Sequence, residues 1–375
     1  MPPSGDTLTA RLARAREATR LAGLDALLIT PSADLRYLIG LTKGSHERLT
    51  CLVLPAEGDP VLVVPALERP GLNGTPVLEL GLNVAQWADG EDPYALIARL
   101  LHASACPPAR TGVGDAMPAA HVLGLRVALP GCAQQLASTV LAPLRMRKDA
   151  AEIAALSEAA QAIDRVHARM GEWLRVGRTE AQVGADVAAA IVAEGHTEAG
   201  FVIIGSGPHG ASPHHEVSDR VLQPGDVVVV DIGGPTPEGY FSDCTRTYSL
   251  GEPAEDVVDC YTVLQAAQDA AVAAVAPGRT AAQIDAAARG LISEAGLGDR
   301  FIHRTGHGIG LEVHEQPYIV AGNDLVLQPG MTFSVEPGLY LPGRWGARIE
   351  DIVVVGAQGA TRLNHRPREL MILPV

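Results

Sequence analysis

Positive charge is scarce in this 375-residue chain, which has 29 Lys and Arg residues against 43 Asp and Glu residues. The formal net charge is −14, and no part of the sequence forms a basic stripe. Proteins that bind nucleic acid or anionic membranes concentrate Lys and Arg on one surface. We therefore expect neither nucleic acid nor a membrane to be a partner.

Long apolar runs and paired cysteines are also missing. No segment offers the roughly 18 consecutive apolar residues of a transmembrane helix, and the N-terminus lacks the basic-then-apolar order of a secretory signal. The cysteines are odd in number, are irregularly spaced and include no CxxC pair; they are Cys51, Cys106, Cys132, Cys244 and Cys260. This usage is typical of reduced thiols, so we expect a cytoplasmic protein.

Apolar residues are plentiful, at 47% of the chain, which is enough for sizeable buried cores. Residues 1–143 alternate helical and strand patterns, which predicts an α/β sheet domain. A basic segment then leads to a helix that Asp149 caps, with Glu152 three residues later. In residues 144–375, paired Ala-rich helices alternate with acidic hairpins. This pattern predicts a second, α+β domain whose helices cover one face of a curved sheet.

Four carboxylates and one histidine of the second domain stand at the ends of apolar runs or in Gly-flanked loops. They are Asp231 in VVVVDIGG, Asp243 in YFSDCTRTY, His307 in TGHGIG, Glu336 in FSVEPG and Glu350 in ARIED. Four carboxylates at hydrogen-bonding distance could not all ionise without a counter-charge. Two divalent cations would balance their charge, so the set is consistent with a dinuclear metal centre.

The spacing of the four carboxylates indicates two hairpins. Asp231 and Asp243 flank the turn sequence PTPEG and are equidistant from Pro237. They are therefore predicted to form a cross-strand pair with Cβ atoms roughly 4.5–5.5 Å apart. Glu336 and Glu350 lie equidistant from Gly343 in the same way.

Each of these residues taken alone has an ordinary explanation. An Asp at a strand end is more often a turn former or a cap than a ligand. Glu336 could be a loop residue before Pro337 and Gly338, and Glu350 could lie on an exposed edge. The five together are harder to explain in this way, because all of them occur in strings that match one family.

Several motifs of the second domain together resemble those of the proline-specific metallopeptidases of the pita-bread fold. They are DIGG with SDCTRTY, RTGHGIGLEVHEQP, FSVEPGLY and ARIED. That family includes Xaa-Pro dipeptidase (prolidase), aminopeptidase P, methionine aminopeptidase and the metal-free creatinase. The resemblance implies an α+β pita-bread catalytic domain in residues 144–375 and an N-terminal α/β creatinase-like domain in residues 1–143. It also implies a homodimer. The spacing from Asp231 to Asp243 is one residue longer than is commonest in the family, and an insertion at PTPEG would account for it.

The resemblance assigns all five residues to metal binding. Asp231 and Asp243 would bind one ion bidentately or bridge two, His307 would bind the other ion, and Glu336 and Glu350 would complete the site, with Glu350 bridging. An oxygen-rich set with one imidazole suits Mn²⁺ or Co²⁺, and Zn²⁺ is also possible. A pair of such cations makes water nucleophilic near neutral pH and polarises the scissile carbonyl.

Further catalytic roles also come from the resemblance. Glu336 is expected to shuttle a proton to the leaving nitrogen. His214 in SPHHEV and His314 in EVHEQP would contact the substrate, and Arg348 would orient a ligand carboxylate such as Asp231. The ordinary reading would make both histidines structural and Arg348 part of a surface ion pair. The neighbouring histidines, His209 and His215, are expected to have surface roles.

The leading functional hypothesis is an Xaa-Pro dipeptidase, ahead of aminopeptidase P. A dipeptidase needs a cation for the proline carboxylate and a closed end to its pocket, whereas aminopeptidase P needs space beyond the proline. The more remote alternatives are a metal-free creatinase-like C–N hydrolase and a non-catalytic binding module. Both would be expected to have lost part of the ligand set.

Overall fold

The structure is a computed structural model, and it describes residues 3–42, 44, 47–102 and 108–375. Cys106 lies outside the described residues, and the other four cysteines are free thiols. The chain divides into two compact units, residues 1–145 and 146–375. Within the described residues, no helix has the length and apolar character needed to cross a membrane.

A mixed sheet organises the first unit. Its strands are β1 (Ala26–Ile29), β2 (Cys51–Pro55), β3 (Val61–Pro65), β4 (Asn83–Trp87), β5 (Arg110–Val113) and β6 (Ala133–Leu136). The strand order is β4-β3-β2-β1-β5-β6. The helices are α1 (Gly5–Leu21), α2 (Ala33–Ile39), α3 (Pro76–Glu79), α4 (Pro93–His102), α5 (Ala119–Ala128) and α6 (Ser138–Met146). Leu28 and Val53 of the sheet pack with Ile97 and Leu125 of α4 and α5 in one buried core. The predicted α/β architecture is confirmed.

The second unit contains paired helices and three sheets. The helices are α7 (Ala150–Ala168), α8 (Met170–Trp173), α9 (Glu180–Ala193), α10 (Glu255–Ala274) and α11 (Ala281–Glu294). One sheet has the order β17-β9-β8-β7, and its strands are β7 (Phe201–Ser206), β8 (Val227–Pro235), β9 (Phe241–Leu250) and β17 (Met371–Leu373).

The second sheet has the order β11-β10-β12-β15-β16. Its strands are β10 (Gly306–Gly308), β11 (Glu315–Ile319), β12 (Thr332–Val335), β15 (Asp351–Val355) and β16 (Ala360–Arg362). The third is the hairpin of β13 (Gly338–Leu341) and β14 (Trp345–Arg348). The predicted α+β class of this unit is confirmed.

Helix caps and apolar faces explain how these helices form and pack. Asp149 and Glu152 make the predicted capping box of α7, and a cap of this kind stabilises a helix by about 1 kcal/mol. Ile163 of α7 packs with Val187 of α9 and with Val230 and Tyr248 of the β8–β9 hairpin. A separate core joins α10 and α11 to the β12–β15 pair.

Strand register decides which acidic side chains are opposite one another. Asp231 pairs with Thr245 and Asp243 pairs with Gly233, so the predicted direct pairing of Asp231 with Asp243 is wrong by two residues. The two carboxylates are diagonal neighbours, because the turn at PTPEG is not symmetric about Pro237. Their even offset still puts both side chains on one face of the hairpin.

The second acidic hairpin has the predicted register. Val335 pairs with Asp351 on one side of Glu336, and Gly338 pairs with Arg348 on the other. The same register therefore places Glu336 opposite Glu350. The main-chain N–H of Glu350 donates to the carbonyl of Thr245 at 3.1 Å, which joins this hairpin to β9.

Candidate metal centre

One cavity in the second unit brings the predicted site residues together. Its volume is about 980 Å³. The cavity wall contains all of the predicted metal ligands and catalytic residues, namely His214, Asp231, Asp243, His307, His314, Glu336, Arg348 and Glu350. These residues come from segments that are far apart in the sequence, so their convergence is produced by the tertiary fold.

The central contacts surround the ring of His307. Its Nε2 atom lies 3.5 Å from Asp243 Oδ2 and 3.2 Å from Glu336 Oε1. Asp243, His307 and Glu350 each offer a ligand atom, and these atoms all lie within 4.8 Å of one another. Ligand atoms bound to one ion at about 2.0–2.2 Å lie at most about 4.4 Å apart, so small movements of these side chains would allow all three to bind one ion.

Neighbouring polar groups fix the orientation of these side chains. His307 Nδ1 lies 3.2 Å from the carbonyl of Gly308. With a cation bound at Nε2, the proton on Nδ1 would donate to that carbonyl and hold the ring in place. Ser334 Oγ donates to Glu336 Oε1 at 3.0 Å, and Thr245 Oγ1 donates to Glu350 Oε2 at 2.8 Å.

Two buried carboxylate oxygens test whether a metal fits this site. Asp231 Oδ1 and Glu350 Oε1 are inaccessible to solvent, and neither has a hydrogen-bond partner among the described residues. A buried polar atom without a partner costs about 1–3 kcal/mol. Cations in the cavity would satisfy both oxygens, so the site fits divalent ions.

The pKa values show the same deficit of positive charge. Burial, followed by the charges of Glu350 and Asp231, raises the pKa of Asp243 well above its usual value. Burial and the charges of Glu336 and Asp231 do the same for the pKa of Glu350. Burial also opposes ionisation of Glu336, but His307, His303 and Arg348 together outweigh it and lower its pKa to about 2. Bound cations would lower the raised pKa values of Asp243 and Glu350 and allow both carboxyl groups to ionise.

Known proteins show the same architecture. Residues 154–357 match the sequence model of metallopeptidase family M24. The chain belongs to metallopeptidase family M24. Residues 11–147 match the creatinase/prolidase N-terminal domain, which agrees with the creatinase-like α/β architecture expected for the first unit.

Several M24 relatives are similar along nearly the whole chain. The probable dipeptidase PepE of Mycobacterium tuberculosis is 60% identical over 365 residues, which cover 97% of this chain and 96% of the relative. An Xaa-Pro dipeptidase of Lactobacillus delbrueckii subsp. lactis is 35% identical, and the match covers 94% of this chain and 96% of the relative. The crystal structure of dipeptidase PepE from Mycobacterium ulcerans has a TM-score of 0.96 and 58% identity, with both chains covered completely.

Arg348 of this M24 chain is buried beside Asp231, so the reading of a surface ion pair is wrong. Its Nη2 donates to Asp231 Oδ2 at 2.6 Å, and its Nη1 and Nε donate to the hydroxyls of Tyr340 at 2.8 Å and Thr245 at 3.0 Å. Only 3% of the side chain is exposed. The exposed-edge reading of Glu350 is also wrong, since that residue is 1% exposed.

The two histidines expected to contact substrate both line the cavity. The ring of His314 packs edge-on against the ring of His307, with centroids 4.1 Å apart. Burial, together with the nearby charges of His307 and Arg304, lowers the pKa of His314 to about 4. His314 is therefore neutral at physiological pH and can accept or donate one hydrogen bond.

Sequence reasoning missed two residues near the site. Arg304 lines the cavity, and its guanidinium lies 4.5 Å from the centre of the Tyr318 ring; the signal was its position directly before TGHGIG. Glu180 was missed because nothing local marks it. His209 and His215 both contact its buried carboxylate, so the expected surface role is wrong for His215, whose side chain is 14% exposed.

Proposed function

We propose that this M24 peptidase is an Xaa-Pro dipeptidase that uses two divalent cations. The observation that carries the proposal is the convergence of four carboxylates and the His307 imidazole on one cavity, with two carboxylate oxygens left unsatisfied. The relatives support the same conclusion, since they include proteins named dipeptidase and Xaa-Pro dipeptidase. The family and these relatives confirm the prediction of a proline-specific metallo-exopeptidase.

The metal ligands in this proposal are Asp231, Asp243, His307, Glu336 and Glu350. Asp231 and Asp243 would hold the ions from one hairpin, and Glu336 and Glu350 would hold them from the other. The oxygen-rich set favours Mn²⁺ or Co²⁺, with Zn²⁺ also compatible. When bound, the cations supply nucleophilic water at neutral pH and polarise the scissile carbonyl.

The protein side chains supply proton transfer and positioning. Glu336 lines the cavity beside the other carboxylates, and we assign to it the transfer of a proton from water to the departing proline nitrogen. His214 and His314 hydrogen-bond the substrate from the cavity wall. Arg348 fixes Asp231 through a charge-assisted bond.

Arg304 favours a dipeptide over a longer substrate. It is a cavity-lining cation, and among the described residues it has no ion-pair partner. The Tyr318 ring supports its guanidinium from one side. The free carboxylate of Xaa-Pro would satisfy this cation. Xaa-Pro-Yaa has no carboxylate at the proline and would leave the cation unpaired.

Two substrate series test this proposal. The wild-type protein should hydrolyse Xaa-Pro much faster than Xaa-Pro-Yaa or Xaa-Pro amide. Because a hydrogen bond to a charged group is worth about 1.5–3 kcal/mol, Arg304→Gln should lower kcat/KM for Xaa-Pro roughly 10- to 150-fold. The amide lacks the carboxylate and should be nearly unaffected. Arg300→Gln, at an exposed residue nearby, is the matched control.

Other outcomes would identify the alternatives. Cleavage of tripeptides with inert dipeptides would indicate aminopeptidase P. Hydrolysis that survives complete chelation would indicate a creatinase-like reaction without metal, and the absence of both metal binding and hydrolysis would indicate a binding module.

The proposal extends to the organisation of the whole protein. We assign residues 1–143 to the accessory domain and residues 144–375 to the catalytic domain, which is supported by the two separate family matches. We also propose a cytoplasmic homodimer. Light scattering of the purified protein would test the dimer by giving twice the mass of one chain.

A further inference from the structure

A second group of metal-binding side chains lies outside the cavity wall. Glu180 is the first residue of α9, and its side chain is completely buried. Its Oε2 atom lies 3.1 Å from His209 Nδ1 and 2.8 Å from His215 Nε2. The two imidazole rings are in contact, with centroids 4.4 Å apart. None of these three residues is among those that line the candidate metal centre.

The carboxylate is fixed before any ion binds. Glu180 Oε1 accepts from the main-chain N–H of Ser206 at 2.9 Å and from its hydroxyl at 2.5 Å. Those bonds hold the carboxylate so that Oε2 faces both imidazoles. Burial opposes ionisation of Glu180, but the hydrogen bonds from Ser206, Ser218 and His215 outweigh it and lower its pKa to about 2. The group is therefore an anion at neutral pH.

This buried anion has no cation of its own nearby. Arg220 is the neighbouring guanidinium, but Asp226 accepts two of its hydrogen bonds, at 2.6 Å and 2.8 Å. Among the described residues, the salt-bridge partners of Glu180 are the two histidines, and these carry charge only when protonated. The charge of this carboxylate is therefore stabilised mainly by donated hydrogen bonds. A divalent cation between the carboxylate and the two rings would add the counter-charge that those neutral donors do not carry.

The distances fit a tetrahedral ion. Zn²⁺ binds imidazole nitrogen at about 2.0–2.1 Å and carboxylate oxygen at about 2.0–2.2 Å, which separates the ligand atoms by roughly 3.4 Å. The observed separations of 3.1 Å and 2.8 Å would need to widen by about 0.3 Å and about 0.6 Å. A fourth ligand is also available. Water can take the fourth position, because 37% of the His209 side chain is exposed; the Ser218 hydroxyl already donates to Glu180 Oε2 at 2.6 Å.

We propose that Glu180, His209 and His215 bind one Zn²⁺ at a site separate from the dinuclear centre. Two imidazoles and one carboxylate form a ligand set typical of zinc, whereas Mg²⁺ and Ca²⁺ prefer oxygen ligands throughout. The site has a direct structural link to catalysis, because His215 follows His214 in the chain. An ion held by His215 also fixes the main chain that presents His214 to the cavity.

The test is the zinc content of the full-length protein after equilibration with buffered free Zn²⁺. We expect the wild-type protein to hold one more Zn²⁺ per chain than His215→Gln and His209→Gln. His365→Gln is the matched control, since His365 is exposed and belongs to neither site; it should keep the wild-type content. Circular dichroism confirms that each variant is folded, and His209→Gln, at the more exposed ring, provides the test should His215→Gln misfold.

Equal zinc content in the wild-type protein and a folded His209 or His215 variant would overturn the proposal. The cluster would then be a hydrogen-bonded cage around Glu180 alone. The result does not depend on peptidase activity, so it stands apart from the proposed function.

Discussion

Replacing Arg348 by methionine tests whether one buried cation holds the metal-binding carboxylates in place. Methionine keeps much of the length of the side chain and removes its charge and its donors. Asp231 Oδ1 already has no partner among the described residues, and the substitution would strip the partner from Oδ2 as well. The hydroxyls of Tyr340 and Thr245 would each lose the hydrogen bond that Arg348 donates to them.

The expected cost follows from the burial of the pair. Removing one partner of a buried ion pair destabilises a protein by about 3–5 kcal/mol, because the other charge is left uncompensated. Arg344→Met is the matched control. Arg344 lies in the turn between β13 and β14 and pairs with Asp256, and the two side chains are 57% and 44% exposed. An exposed pair contributes at most about 1 kcal/mol.

Urea unfolding of the chelator-treated proteins measures how much each substitution, Arg348→Met and Arg344→Met, lowers the free energy of unfolding. A double-mutant cycle with Asp231→Asn isolates the pair, and its coupling energy should be about 2–3 kcal/mol. The wild-type, single-variant and double-variant proteins are compared at one pH and salt concentration. The reasoning is refuted if Arg348→Met lowers the free energy of unfolding no more than Arg344→Met does. It is also refuted if the coupling energy between Arg348 and Asp231 is zero.

Three further predictions concern metal, pH and packing. Glu350→Gln should reduce bound Mn²⁺ by at least one ion per chain, measured by metal analysis, because Glu350 is the proposed bridge. Burial lowers the pKa of His167 to about 3, so its contribution to stability is complete above about pH 6.5 and is lost as the pH falls. His167→Gln should therefore flatten the pH dependence of unfolding below pH 6.5 by up to about 1.4 kcal/mol per pH unit. Gly306→Ala should lower the unfolding temperature, because its Cβ would overlap the carbonyl of Ser334. Gly290→Ala has open space within α11 and should stabilise the protein by about 0.5–1 kcal/mol; unchanged unfolding temperatures in both variants would contradict this account.

Much of the fold was predictable because its signals are local. The capping box of Asp149 and Glu152 depends on residues three apart, and it forms as expected. The hairpin carrying Glu336 and Glu350 was also predictable, because its turn is symmetric about Gly343 and the register follows from the turn.

The candidate site was predictable in its members and less so in its geometry. The turn at PTPEG is centred on Glu238 instead of Pro237, so the register of Asp231 and Asp243 differs from the predicted one by two residues. His209 and His215 stand in a polar loop that gave no sign of Glu180, which lies about thirty residues earlier and becomes their partner only when α9 packs beside β7.

The sequence by itself determined which chemical groups this protein has available and which family it belongs to, because residue types and turn spacings are written locally along the chain. Only the tertiary structure decided which of those groups meet. It buried Arg348 against Asp231, left oxygens of Asp231 and Glu350 without partners, and enclosed Glu180 between two imidazoles. The physical reason is that contacts between distant residues depend on strand register and helix packing. Burial then sets the strength of each electrostatic interaction among the charged groups.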